Sequence, residues 1–194
     1  MVTETTIDAN LEAIRNGIGV RSLVLVGLMG AGKSAIGRKV ALSLDLPFVD
    51  ADTEIEKSAK YTIKEIFEHY GEDEFRRLEE RVVQRLLKNG PQVLATGGGA
   101  FMNPQTRERI GRRGVSIWLS AELDLLMQRV SRKQTRPLLR QPDPRGTMAN
   151  LIDVRYPIYA LADIEVPSRD VTKDQMAEDV IAAFASHLQK EKAA

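Results

Sequence analysis

Residues 27–34 read Gly-Leu-Met-Gly-Ala-Gly-Lys-Ser, matching G-x-x-x-x-G-K-[ST] in both residue type and spacing. Glycines let the backbone curl so that successive N–H groups face an anion, and a helix starting there turns its positive dipole end toward the same point. Lys33 adds a mobile positive charge and Ser34 a hydroxyl suited to magnesium. This is the chemistry of holding nucleotide phosphates, with Gly30, Ala31, Gly32, Lys33, Ser34 and Ala35 as the expected cradle. An apolar run precedes the loop and a helical pattern follows it, which argues against a chance glycine-rich turn. GTPase switches, ATPase motors and metabolite kinases share this loop, so the reaction must be read from other residues.

Phe48-Val49-Asp50-Ala51-Asp52 places two carboxylates two residues apart at the end of a second apolar run. In an extended chain that spacing aims both at one side. One could help hold magnesium or its waters, and the other accept the proton of an alcohol being phosphorylated. The structural alternative is that Asp52 caps a helix over 53–57. Phe75-Arg76-Arg77-Leu78-Glu79 falls in a helical pattern that puts Arg76 and Glu79 on one face. Glu79 could orient Arg76 toward a substrate carboxylate, although a solvated ion pair is the plainer reading. Thr96-Gly97-Gly98-Gly99-Ala100 carries three successive glycines, which permit close approach of backbone N–H groups to a ligand.

Positioning these groups requires a scaffold. Leu23–Val26, Pro47–Val49 and Val93–Ala95 read as buried strands, with Val115–Leu119 and Ile164–Val166 as two more. Between them Ser34–Leu44, Glu72–Lys88 and Glu122–Val130 have helical periodicity, with Phe75, Leu78, Val82 and Leu86 on one face of the second. Such alternation predicts an α/β fold with a parallel sheet. Ile7, Leu11 and Ile14 predict a short helix in an N-terminal extension over 1–20, and Met176, Val180, Phe184 and Leu188 a docked final helix. Ser131–Arg145, rich in Arg, Lys and Pro, reads as an irregular surface segment. One domain over 21–194 is expected, with 51–90 as a helical region.

Composition narrows the function classes. Hydrophobic residues make up 43% and charged residues 28% of 194, the balance of a folded soluble domain. With 28 Lys plus Arg against 27 Asp plus Glu, the net charge of +1 leaves no large basic field for nucleic acid. The absence of Cys excludes disulfides and thiolate metal sites, and His69 and His187 alone do not predict zinc. No window resembles a membrane span or a secretory signal, so a cytoplasmic location is expected.

In order along the chain, G-L-M-G-A-G-K-S, F-V-D-A-D, F-R-R-L-E, A-T-G-G-G, R-P-L-L and R-Y-P-I-Y resemble the shikimate kinase family, from about Leu23 to Val166. The resemblance implies a three-layer α/β P-loop kinase fold with a central five-stranded parallel sheet and a mobile lid at about 131–145. It implies that Ser34 and Asp50 lie around Mg2+, that Lys33 contacts the phosphates, and that Asp52 binds shikimate hydroxyls as the candidate base. Arg76 and Arg155 would hold the shikimate carboxylate, with Gly97, Gly98 and Gly99 beside it and the central glycine in contact. Arg136 of the lid would reach the nucleotide phosphates and join Lys33 and Asp52 as the catalytic set.

Two places depart from the family pattern. Tyr156 stands before Pro157 where a residue such as Asn is frequent, and Pro167–Asp170 aligns poorly with the adenine-side segment, leaving Arg169 as a weakly matched nucleotide contact. The implied reaction is transfer of the γ-phosphoryl group of MgATP to the 3-hydroxyl of shikimate. The implied partners are ATP, ADP and shikimate, without nucleic acid or membrane, and the implied state is a monomer. Another small-metabolite kinase such as gluconate kinase is the nearest alternative. A regulatory nucleotide switch is more distant, because the chain has no Asn-Lys-x-Asp guanine-reading motif.

Overall fold

The computed structural model describes residues 4–132 and 142–193, with side chains from Asp8 onward. Strand β1 (Ser22–Val26) is buried along its whole length because it lies at the centre of the sheet. Around it stand β2 (Phe48–Asp50), β3 (Val93–Ala95), β4 (Gly114–Ser120) and β5 (Ile164–Pro167), in the order β2-β3-β1-β4-β5. All four pairings are parallel, and Leu23 lies opposite both Val93 and Val115. The C-terminal ends of all five strands therefore open along one edge, where parallel sheets bind ligands.

Helices cover both faces. On one face α2 (Lys33–Leu44) packs with α8 (Lys173–Ala193), and α1 (Glu4–Gly17) lies against α8. Ile14 and Ile18 are buried there, and the Arg21 guanidinium forks onto both oxygens of Glu191 at 3.0 and 2.9 Å. The other face carries α4 (Ile63–Leu86), α5 (Pro104–Arg113) and α7 (Pro144–Tyr159), with α3 (Ala51–Ala59) against α4 and α6 (Leu123–Ser131) against α7. No helix among the described residues is long and apolar enough to cross a membrane.

Several elements differ from their sequence expectation. Helix α4 begins at Ile63 rather than 72, started by a capping box between Thr62 and Glu65 and interrupted at Gly71, whose φ of 78° breaks the helix without ending it. Phe75, Val82 and Leu86 face the core as their spacing predicts, and Glu79 is buried among them while Leu78 is only half-buried. The segment expected to be irregular over 131–145 loses both ends to helices, since α6 extends through Ser131 and α7 starts at Pro144. Of the proposed lid, residues 133–141 lie outside the described residues, Arg136 among them.

Candidate active site

The loop leaving β1 curls beneath the start of α2. Gly32 caps this helix with φ 100° and has no side chain to bond the N–H groups of the first turn. A Cβ at that position would be both strained and 2.9 Å from Ile36 Cδ1, so glycine is required. An uncapped helix start of this kind leaves its N–H groups and dipole for an anion. Lys33 Nζ donates to Gly27 O at 2.8 Å and Leu28 O at 3.0 Å, which holds the ammonium over the loop. Ala31 is buried, and Ala35 sits in the first turn of α2.

The two aspartates do not share an extended strand. Asp50 ends β2 and caps α3, its Oδ1 accepting from Asp52 N at 3.1 Å and Thr53 N at 3.5 Å. Its Oδ2 accepts from Ser34 Oγ at 2.7 Å, bringing the expected magnesium pair together. The cap is thus Asp50, and Asp52 lies in the first helical turn with its side chain turned toward Gly97. That frees Asp52 from the capping alternative considered from sequence.

Three glycines leave β3 in contact with four charged side chains. A Cβ on Gly97 would fall 2.7 Å from both Asp52 Oδ1 and Glu79 Oε1, and one on Gly99 would overlap the Arg76 guanidinium. Arg155 Nη1 donates to Gly98 O at 3.1 Å. Arg76 is oriented by Glu79 Oε2 at 2.7 Å and Glu72 Oε1 at 3.0 Å. The pair expected on a solvated helix surface is therefore anchored, since only 4% of the Glu79 side chain is exposed. Burial raises the Glu79 carboxyl above its ordinary range, opposed by the Arg76 charge and reinforced by Asp52.

A cavity of about 180 Å³ joins the two halves, lined by Lys33, Ser34, Asp50, Asp52, Gly98 and Arg129 among others. A second hollow of about 500 Å³ opens beside it past Arg76, Gly99 and Arg155. Every expected site residue within the described chain lines one of these spaces or the loops that frame them; Arg136 lies outside the described residues.

Sequence reasoning missed Arg129. Its Nη1 donates to Ser168 Oγ at 2.8 Å and Ala31 O at 3.4 Å, and its Nη2 to Arg169 O at 2.6 Å, tying α6 to the phosphate loop and to the chain after β5. Its position one turn after Leu125 on an otherwise apolar helix face was the available signal. Arg169, the weakly matched nucleotide contact, pairs its side chain with Asp179 of α8 and lines a hollow together with Ser168 and Asp170. The Tyr156 hydroxyl bonds Ala121 O and its ring packs edge-on against Trp118 at 4.9 Å.

Comparison with known proteins gives a consistent picture. The shikimate kinase family signature matches residues 29–185. A shikimate kinase from Brucella canis is 58% identical over 191 residues, covering 98% of this chain and 96% of its own length. One from Mesorhizobium japonicum is 59% identical over 179 residues, covering 92% and 88%. Among solved structures, a shikimate kinase from Acinetobacter baumannii in complex with shikimate superposes with a TM-score of 0.83 at 34% identity, covering 89% of this chain and 97% of that one.

Proposed function

The chain belongs to the shikimate kinase family, and from that premise we propose how its residues divide the work of transferring a phosphoryl group from ATP to shikimate. Enzyme class and substrate follow from the family; the assignment of residues rests on geometry. The observation that carries it is the arrangement of Asp52, Arg76 and Arg155 around three glycines, across one cavity from the Lys33 loop.

The acceptor is oriented by its carboxylate. Arg76, preset by Glu79 and Glu72, and Arg155, preset by Gly98 O, offer two guanidinium groups that a single carboxylate can bridge. This places the 3-hydroxyl toward Asp52, which takes its proton as the hydroxyl oxygen bonds to the γ-phosphorus and the bond to the ADP oxygen breaks. Lys33 and the N–H groups at the start of α2 stabilise the charge that gathers on the transferred group, and Arg136 adds to them from the lid. Phosphoryl transfer needs little covalent help from protein, so positioning and charge account for most of the acceleration.

The donor set also fits Mg2+. Ser34 and Asp50 present a hydroxyl and a carboxylate 2.7 Å apart, both hard oxygen ligands. Mg2+ usually keeps several waters and is held by one or two protein oxygens together with substrate phosphates, which two such ligands would allow. When bound, magnesium supplies charge neutralisation at the phosphates.

A coupled ADP-release assay against shikimate, gluconate and nucleoside monophosphates tests the reading. ADP release with shikimate alone is expected, and its absence with shikimate would reject the assignment. Asp52→Asn is expected to lower kcat by about 10²-fold or more with the KM for ATP kept, because general-base help of this kind is worth roughly 10²–10⁴-fold.

A further inference from the structure

The carbonyl of Gly98 receives two donors from one helix: Arg155 Nη1 and the hydroxyl of Tyr159. The two side chains are four residues apart on α7 and so share a face. Tyr159 is fully buried, its ring held among Phe101, Trp118 and Tyr156 at centroid distances of 6.1 to 6.3 Å. Phenylalanine would fill that space with no polar atom to satisfy, so the hydroxyl must be explained by what it bonds. Burial pushes the phenol up to about 12, with Arg155 pulling the other way, so the O–H remains a donor throughout the physiological range.

Gly98 stands where the two halves of the site touch. A Cβ placed on it would lie 3.3 Å from Arg155 Nη1, 3.6 Å from Gly27 O and 3.9 Å from Met29 N. Because a peptide unit is planar and trans, turning the Gly98 carbonyl toward α7 sends the Gly99 N–H the opposite way, and the Arg76 guanidinium lies against Gly99. Ala100 N closes a turn onto Gly97 O at 3.3 Å, and within that turn Arg155 and Tyr159 are what hold the Gly98 oxygen.

We propose that Tyr159 is a positioning residue for the acceptor: its hydroxyl fixes the Gly98–Gly99 peptide and, by sharing the same carbonyl with Arg155, sets the guanidinium that meets the substrate carboxylate. The inference rests on the shikimate reading above. It assigns Tyr159 to acceptor binding remote from the transferred phosphoryl group, so its loss removes binding common to ground and transition states.

Tyr159→Phe keeps the ring and deletes the hydroxyl. The expected result is a rise of about three- to tenfold in the KM for shikimate, the scale of one hydrogen bond, with kcat and the KM for ATP within about twofold of wild type. Replacement by 4-aminophenylalanine, which restores a donor, should return the KM for shikimate toward wild type. An unchanged KM for shikimate in an active Tyr159→Phe enzyme overturns the inference. So does an equal rise in both KM values with a lowered Tm, which would mark a packing role. If the phenylalanine variant does not fold, 4-fluorophenylalanine, which is close to tyrosine in size but has no donor, decides, with a raised KM for shikimate supporting the role and a wild-type KM rejecting it. A wild-type enzyme that releases no ADP with shikimate would overturn the premise, and the inference with it.

Discussion

The half of this site that we assign to the nucleotide is made largely of backbone, and the half that we assign to the acceptor largely of side chains. In the first, consecutive residues 27–34 bend a loop into the uncapped start of α2, and one ammonium rests on two of its carbonyls. In the second, Asp52, Arg76, Glu79, Arg155 and Tyr159 come from three helices and converge on glycines that contribute room and, at Gly98, a carbonyl that Arg155 and Tyr159 share. A phosphate is recognised by many equivalent N–H groups, which any sequence able to curl can present. A carboxylate and ring hydroxyls at fixed separations demand particular donors in particular places, and these must be braced by further side chains.

This contrast predicts different failures. Among the described residues Lys33 is the side chain that rests its charge on the backbone half, so Lys33→Met should give a large loss, with kcat falling by roughly 10²- to 10³-fold, the cost of one charge-stabilising donor. Shikimate binding measured by calorimetry should be retained, and a parallel loss there would mean that the two halves are not separable. Arg76→Lys tests the other side. It keeps the charge and removes the fork that Glu72 and Glu79 hold, and an increase of about tenfold in the KM for shikimate is expected with the KM for ATP unchanged. A drop in kcat without a change in KM would contradict the assignment of Arg76 to ground-state binding.

The same contrast explains what could be read from sequence. The backbone half is contiguous, so its motif announced itself, and the order of apolar runs around it correctly indicated a parallel α/β sheet. The acceptor half is scattered between residues 52 and 159, and became legible only through the joint order of several motifs. Details fixed by tertiary contact were lost. Nothing local in the sequence distinguishes Asp50 from Asp52 as the cap of α3, because an aspartate has the capping chemistry at either position. Glu79 looked like half of a surface ion pair, since periodicity cannot say that the glycines after β3 close over it. Arg129 and Tyr159 are single residues on helices whose partners are carbonyls of distant loops, and a carbonyl leaves no mark in the sequence.

The smallest expected effect concerns the brace rather than the ligand contacts. Glu79 Oε1 is buried with no hydrogen-bond partner among the described residues, while Oε2 holds Arg76. Burial raises its carboxyl above the ordinary 4.5, an effect that Arg76 and Arg155 oppose and Asp52 reinforces. The folded chain therefore binds this proton more tightly than the unfolded chain. The stabilising contribution is complete below 4.5 and is lost as pH rises through the folded-state value. Glutamine does not titrate, so in Glu79→Gln the Tm relative to wild type should climb as pH increases from about 4.5 toward neutrality, by on the order of a few degrees. The same variant should bind shikimate more weakly, because Arg76 loses a charged partner. Stability and binding then move in opposite directions from one substitution, as expected of a buried carboxyl group that orients Arg76. If the two Tm profiles run parallel across this range, Glu79 carries no such conflict, and the acceptor half is held together by packing instead.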